Sequence, residues 1–331
     1  MKKTLLYATV ALLFVSSCKK ENKSQPESPA KKYNVRFDVS GFAQEISGSG
    51  TAKKVNDTGT PLSGQIDVLT YNVLGLNKNK VYYDLVSVIT QNSTDPQFGV
   101  INDNLPAGKY QVIVFGGKTG LKAVHYSTYS AKYYSVGPYK FFYPGDNPDA
   151  PPSALYWNDT FYKSLEITVS DTSANHAINL ERIVGKLEIT FTDVMPANAK
   201  TITYSYGAEY PIFDFQNGKP QQIYGAILYP NSSDFRAGMV DMVKTVSVPD
   251  SAKGQTGFNL SNFIMNTGGY LTVNINCYDA DSKLISTRKI ENVPVEKNKI
   301  TKLTGKLFDV NANFGIDVND NWDETPVIIN Y

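Results

Sequence analysis

The feature that most constrains the fold is an alternation of apolar and polar side chains that recurs along the chain. In YNVRFDVSGF (33–42), Tyr33, Val35, Phe37 and Val39 alternate with polar residues. Because successive side chains of a β-strand point to opposite faces, a period of two predicts a half-buried strand. A strand with one apolar face needs a second layer to bury it, so the pattern predicts packed sheets.

Further strand-like runs follow this first one for most of the chain. They are found at 65–75, 80–90, 109–117, 164–170, 177–194, 200–207, 245–248, 270–280, 283–290 and 299–310. One segment, DFRAGMVDMVK (234–244), has a helical pattern. Closely spaced strands with few helices predict an all-β fold built of β-sandwiches. The length suggests two domains, and the break at DTSANH predicts sandwiches over 33–175 and 176–331.

The N-terminus has the order of parts found in an exported lipoprotein. Two lysines precede an apolar run, 4–15, which is shorter than the roughly 20 residues that a membrane-spanning helix needs. The tetrapeptide VSSC, ending at Cys18, then has the form of a lipobox. The sequence predicts a lipoprotein signal peptide over 1–17, lipidation of Cys18 and a charged tether over 18–32. An ordinary secretory signal with a chance cysteine is the alternative.

Charge and hydropathy exclude some classes of partner. The chain has 32 basic and 31 acidic residues, and loss of the predicted signal removes two lysines, which leaves 30 against 31. A nucleic-acid-binding protein needs a strongly basic face, so no nucleic-acid partner is predicted. After the signal no apolar run approaches 18 residues, so the lipid is the predicted attachment to the outer membrane.

Residues that commonly carry catalysis are scarce. His125 and His176 are the two histidines, and neither stands in a recognisable catalytic motif. A nucleophile elbow, a zinc-protease motif and a phosphate-binding loop are all missing from the sequence. Cys277 alternates with apolar neighbours and is predicted to be a core residue. The sequence predicts a protein that is not an enzyme and carries no cofactor.

An Asp- and Asn-rich stretch near the C-terminus begins like a calcium loop. Asp317, Asn319 and Asn321 have the opening spacing of such a loop. Trp322 then replaces the glycine that the sharp turn requires, and Ile328 stands where a bidentate glutamate is needed. No metal site is therefore predicted, and side-chain turns in a loop account for the composition.

A second candidate is an aromatic stretch over 126–157, whose aromatic residues include Tyr129, Tyr133, Tyr134, Tyr139, Phe141, Phe142, Tyr143 and Trp157. Tyr134 and Trp157 could stack on sugar rings, which would suit a surface glycan-binding lipoprotein of a carbohydrate-uptake system. The alternative is a long loop that packs its own aromatic side chains over the end of a small sandwich.

Four segments together resemble one known family. They are LPAGKYQVIVFGG, ALYWNDTFYKSLEITVSD, INLERIVGKLEITFTDVMP with Arg182 inside an apolar strand, and VPVEKNKITKLTG. Their order resembles that of the fimbrillin-type lipoproteins of the Bacteroidetes, which include anchor and shaft subunits of fimbriae. The resemblance implies two transthyretin-like sandwiches, other fimbrial subunits as partners, a structural role in adhesion, and assembly by strand exchange.

In shaft subunits of this family a protease is thought to remove the first strand after an arginine. Arg36 lies inside the first predicted strand, and the next arginine is Arg182. Lys53 and Lys54 could serve a lysine-directed protease instead. The sequence thus favours an anchor or accessory subunit that keeps its first strand.

The C-terminal segment TPVIINY has two possible roles. Its Val327, Ile328 and Ile329 could plug the groove of a neighbouring subunit as a donor strand. The segment could equally be the last strand of its own sandwich. The sequence does not decide between the two.

Overall fold

Strands dominate the structure, as the alternating pattern predicts. The computed structural model describes residues 30–45, 54–56, 62–75, 84–118, 122–127, 132–137, 157–210, 212–215, 217–221, 240–265, 269–309 and 311–319. Within these residues twenty strands accompany one short helix, Leu62–Gln65 (α1), and a 3₁₀ turn, Asp250–Ala252. The all-β prediction is confirmed. No described helix is long and apolar enough to cross a membrane.

The strands are numbered along the chain. The first ten are β1 (Lys32–Glu45), β2 (Lys54–Asn56), β3 (Val68–Gly75), β4 (Asp84–Asn92), β5 (Val100–Pro106), β6 (Gly108–Gly117), β7 (Lys122–Ser127), β8 (Lys132–Gly137), β9 (Thr160–Val169) and β10 (Ala174–Arg182). The others are β11 (Gly185–Phe191), β12 (Thr201–Glu209), β13 (Ile212–Asp214), β14 (Lys219–Gln221), β15 (Val240–Ser247), β16 (Phe258–Ile264), β17 (Gly269–Tyr278), β18 (Leu284–Val295), β19 (Ile300–Gly305) and β20 (Gly315–Asn319).

The first sandwich is one hydrogen-bonded path that folds over itself. The path runs β2-β1-β10-β9-β6-β3-β4. Strand β5 lies outside this path and pairs with β1. Strand β10 joins β9 at Glu181 and Arg182 alone, which lets the β5-β1-β10 layer face the β9-β6-β3-β4 layer. Phe37 of β1 and Tyr71 of β3 meet across this core with ring centroids 5.1 Å apart.

The second sandwich consists of two four-stranded sheets. Their orders are β16-β11-β19-β20 and β15-β12-β17-β18. Strand β11 pairs with β19 in parallel, and the other pairs in these two sheets are antiparallel. The core between them includes Phe191, Tyr204, Val273 and Leu303, each buried almost completely. A separate sheet, β14-β13-β8-β7, joins strands from both halves of the chain.

Strand β10 bears on where one sandwich ends and the next begins. It starts at the predicted boundary near residue 175, yet it pairs with β1 in parallel. Its Ile178 and Leu180 belong to the first core, whereas Leu187 is the first residue of the second core. We therefore propose that the boundary lies just after β10 instead of before it.

The segment predicted to be helical is a strand where the structure describes it. Val240–Ser247 forms β15 and pairs with β12, with Met242 opposite Tyr206. Along β15 exposure alternates, from Val243 at 57% to Val246 at 5%. The helical prediction is wrong for 240–244 because tertiary pairing outweighs a weak local pattern. Residues 234–239 lie outside the described part.

Gly185, in the middle of the run 177–194, is required by a close approach of two backbones. A Cβ at this position would collide with the Glu296 carbonyl oxygen and lie 2.9 Å from Cγ1 of Val295. We expect Gly185→Ala to lower the free energy of unfolding by about 1–3 kcal/mol, measured by denaturant titration. Gly75→Ala is the control, because its Cβ would come no closer than 3.4 Å to Val86. Equal stability of the two variants would contradict this account.

Candidate functional site

A buried apolar cluster joins the two sandwiches. It is called the joint cluster here and consists of Leu74, Ile113, Phe115, Trp157, Ile183, Val184, Phe213, Phe215 and Met265. Leu74 and Phe115 belong to strands of the first sandwich, and Phe215 follows β13 in the second half of the chain. The rings of Phe115 and Phe215 stack with centroids 5.6 Å apart. The first sandwich is therefore covered on its outer face by residues that come about a hundred positions later.

Trp157 is the largest side chain in this cluster. It is 2% exposed, and its indole Nε1 donates a hydrogen bond of 2.8 Å to the carbonyl oxygen of Tyr210. A buried indole offers no face to a sugar, so the structure contradicts the prediction that Trp157 stacks on glycans. Tyr134, its predicted companion, lies in β8 opposite His125 of β7.

Tyr162, in β9, packs against the joint cluster. Its hydroxyl donates a 2.6 Å hydrogen bond to the carbonyl oxygen of Phe215, and its ring meets Phe213 edge-on at 4.9 Å. Burial raises the pKa of Tyr162 to about 12. The phenol therefore stays protonated, and able to donate, throughout the physiological range.

Arg182 connects the sandwiches through charge. Its guanidinium donates to both carboxylate oxygens of Asp159, at 2.6 and 3.0 Å, and to the side-chain oxygen of Asn298 at 3.2 Å. The guanidinium also lies 4.7 Å from the centre of the Phe161 ring. The side chains of Arg182 and Asp159 are 10% and 18% exposed. This two-pronged geometry is the strongest form of carboxylate recognition in proteins.

Glu181 adds a more exposed pair of contacts next to Arg182. It accepts hydrogen bonds from Lys163 at 2.6 Å and from Lys297 of the second sandwich at 3.4 Å. Burial alone would raise the pKa of Glu181, but the two lysines outweigh it and the pKa is lowered. A depressed carboxyl pKa contributes stability at neutral pH that is lost as the pH falls through the folded-state pKa. Because these groups are about two-fifths exposed, the contribution is small.

The other predicted site residues are not brought together. His176 lies in β10 and stacks on Phe37 at 5.3 Å, whereas His125 lies in β7. Asp317 and Asn319 belong to β20. Among the described residues no three His, Cys, Asp or Glu side chains are grouped as metal ligands would be. Asn321 lies outside the described part.

Several predicted residues cannot be placed. Cys18, Lys53, Val327, Ile328 and Ile329 lie outside the described residues, so lipidation, processing and strand donation stay predictions. Lys54 is the first residue of β2 and stands opposite Glu45 of β1.

Cys277 is buried in β17, as its alternation with apolar neighbours indicates. Burial raises the pKa of its thiol to about 11. Because the thiolate is the reactive form, we expect iodoacetamide at mildly alkaline pH to leave Cys277 unmodified in the folded protein. The same reagent should modify it in guanidinium chloride, which peptide mass mapping would show. Rapid modification of the native protein would contradict this environment.

The fold and the joint define a class of protein: two β-sandwiches held together by an apolar and ionic joint. The chain matches the model of a family of unknown function, DUF6562, over residues 76–327, and it belongs to that family. No curated protein sequence matches it.

Three solved structures are similar to this chain at low sequence identity. A proposed adhesin from Bacteroides thetaiotaomicron is 12% identical, with a TM-score of 0.50 and coverage of 89% of this chain and 98% of that one. A proposed polysaccharide-binding protein from the same species is 8% identical, with a TM-score of 0.47 and coverage of 87% and 96%. The fimbrial anchor protein Mfa2 from Porphyromonas gingivalis is 9% identical, with a TM-score of 0.45 and coverage of 88% and 98%. The likeness to the proposed adhesin concerns the fold alone and agrees with the predicted all-β sandwiches.

Proposed function

We propose that this protein is a non-catalytic, lipid-anchored fimbrial subunit that acts as an anchor or accessory subunit in cell adhesion. The lipid on Cys18 would hold it in the outer membrane, and its partners would be other fimbrial subunits. The protein of similar fold described as a proposed adhesin supports the adhesive part of this role.

The position of the first strand is the observation that carries the proposal. Strand β1 is central, because it pairs with β10 on one side and with β5 on the other. Its Val35 and Phe37 are completely buried. A cut after Arg36 would divide the strand, and a cut at Lys54 would leave it held by both neighbours. These contacts favour a subunit that retains its first strand.

Assembly by strand exchange needs a free sheet edge on one subunit and a free strand on another. Among the described strands, β20 pairs with β19 alone. Its Ile316 and Val318 are 42% and 37% exposed, so this edge presents apolar side chains to solvent. The predicted donor strand, 327–329, begins eight positions after the last residue of β20. The proposal assigns contact with a neighbouring subunit to this end of the molecule.

The mature N-terminus of the cell-associated protein tests the proposal. Intact mass and terminal peptide mapping should find an acylated Cys18 and the β1 peptide in one chain. Cys18→Ser should move the protein out of the membrane fraction, whereas the matched variant Cys277→Ser should leave it there. An N-terminus after Lys53 or Lys54, with β1 missing and polymer ladders on an unheated gel, would identify a shaft subunit and overturn the anchor role.

A further inference from the structure

A cavity of about 490 Å³ lies at one end of the second sandwich, where the chain crosses from β15 to β16. Its size is within the range of roughly 300–1,000 Å³ found for small-molecule sites. The described lining comes from two short stretches of chain, 246–252 and 255–259. None of its described lining residues belongs to the joint cluster or to the candidate residues discussed so far.

Backbone hydrogen bonds to Phe191 and Met195 hold the loop that forms the cavity in place. The backbone nitrogen of Met195 donates to the carbonyl oxygen of Gln255 at 2.9 Å. The backbone nitrogen of Gly254 donates to the carbonyl oxygen of Met195 at 2.8 Å. Gly257, with a φ of +81°, donates to the carbonyl oxygen of Phe191 at 2.8 Å. A site whose shape is fixed in advance binds without the entropic cost of ordering a loop.

The lining is uncharged and mixes two kinds of surface. Val246 and Phe258 give an apolar wall, and Phe258 is partly buried, with its ring nearly parallel to that of Phe191. The nearby Lys253 forms an ion pair with Asp250, with 2.7 Å between Nζ and Oδ1. All described lining residues are neutral, which disfavours an anionic or cationic ligand.

The polar part of the lining consists of hydroxyls and carboxamides. It is formed by Ser247, Ser251, Gln255, Thr256 and Asn259. Among described residues, the side chain of Asn259 accepts a hydrogen bond from Thr190 at 2.7 Å. The hydroxyls and the Gln255 carboxamide make no hydrogen bond to any other described residue. These groups are available to a ligand that carries several hydroxyls.

An extended peptide strand fits this cavity less well. Edge pairing needs several consecutive main-chain groups at a rise of about 3.3 Å per residue. Each flanking strand contributes two residues, Val246 and Ser247 from β15 and Phe258 and Asn259 from β16. That length supports a compact ligand, and a sugar ring combines one apolar face with a rim of hydroxyls.

We propose that this cavity binds a neutral saccharide unit. The apolar face of the sugar would rest on Phe258, and its hydroxyls would bond to the Gln255 carboxamide and to the hydroxyls of Ser251 and Thr256. The proposal is independent of the fimbrial role, because neither the joint, the first strand nor the lipid takes part.

The test is saturation-transfer NMR and calorimetry on the full-length protein with maltose, cellobiose and lactose, and with a glucuronic acid disaccharide as a charged comparison. At least one neutral disaccharide should bind, and the charged one should bind more weakly. The double variant Gln255→Ala/Thr256→Ala and the cavity-filling Ser251→Trp should each weaken binding at least tenfold. Gln97→Ala and Ala280→Trp, at exposed positions elsewhere, are the matched controls and should not change it.

Three results would overturn the proposal. One is that no neutral disaccharide binds, and another is that Ser251→Trp binds sugar as tightly as the unmodified protein. The third is that the cavity binds an extended peptide but no sugar. None of them bears on the mature N-terminus, so the fimbrial role is judged separately.

Discussion

Arg182→Ala is expected to lower the free energy of unfolding by about 3 kcal/mol, measured by chemical denaturation. Removing the guanidinium would leave Asp159, 18% exposed, without its two-pronged partner, and would remove the hydrogen bond to Asn298 of the second sandwich. Because Arg182 links the two sandwiches, the variant should also unfold in two separated steps followed by near- and far-ultraviolet circular dichroism.

The ion pair Arg36–Asp38 supplies the matched control. Nη2 of Arg36 lies 2.7 Å from Oδ1 of Asp38, but the two side chains are 43% and 41% exposed. Solvent screens the attraction in an exposed pair of this kind, so Arg36→Ala should change stability little. If Arg182→Ala and Arg36→Ala lowered the free energy of unfolding equally little, the ionic contacts of the joint would contribute nothing to stability.

Trp157→Ala is expected to lower the free energy of unfolding by about 3–5 kcal/mol. The substitution empties the largest space in the joint cluster and leaves the carbonyl oxygen of Tyr210 without its indole donor. Thermal and denaturant unfolding would both report the loss.

Tyr270→Ala is the control for an aromatic side chain, because Tyr270 is 73% exposed in β17. Surface substitutions of this kind usually change stability by less than about 0.5 kcal/mol. A Trp157→Ala variant as stable as Tyr270→Ala would contradict the buried position of the indole.

Local features of the fold could be predicted from the sequence. The alternation around Phe37 predicts β1, and the turn between β17 and β18 is formed by neighbouring residues. In that turn Ser282 has a φ of +61°, and the carboxylate of Asp279 accepts from the backbone nitrogens of Asp281 and Lys283. These elements are determined by residues within a few positions of each other, which a periodicity analysis can detect.

The joint could not be predicted in this way, because its partners are far apart in the sequence. Arg182 meets Asp159 over 23 positions and Asn298 over 116. One signal was present: β3 and β6 contain consecutive buried residues instead of an alternation. A strand that is apolar on both faces must be covered on both, but the sequence does not say by what. This is why the sequence suggests a ligand for Trp157, whereas the structure places it in the joint cluster.

The direction in which β1 and β10 run has a mechanical consequence. The two strands are parallel, with register partners from Val35 and Ala174 to Phe42 and Leu180. A pull on the N-terminal end of β1 against the C-terminal end of β10, which leads into the second sandwich, would act along both strands. Their hydrogen bonds would be loaded together in shear and could not be unzipped one at a time. A molecule built in this way resists extension along its length far better than peeling of its edges.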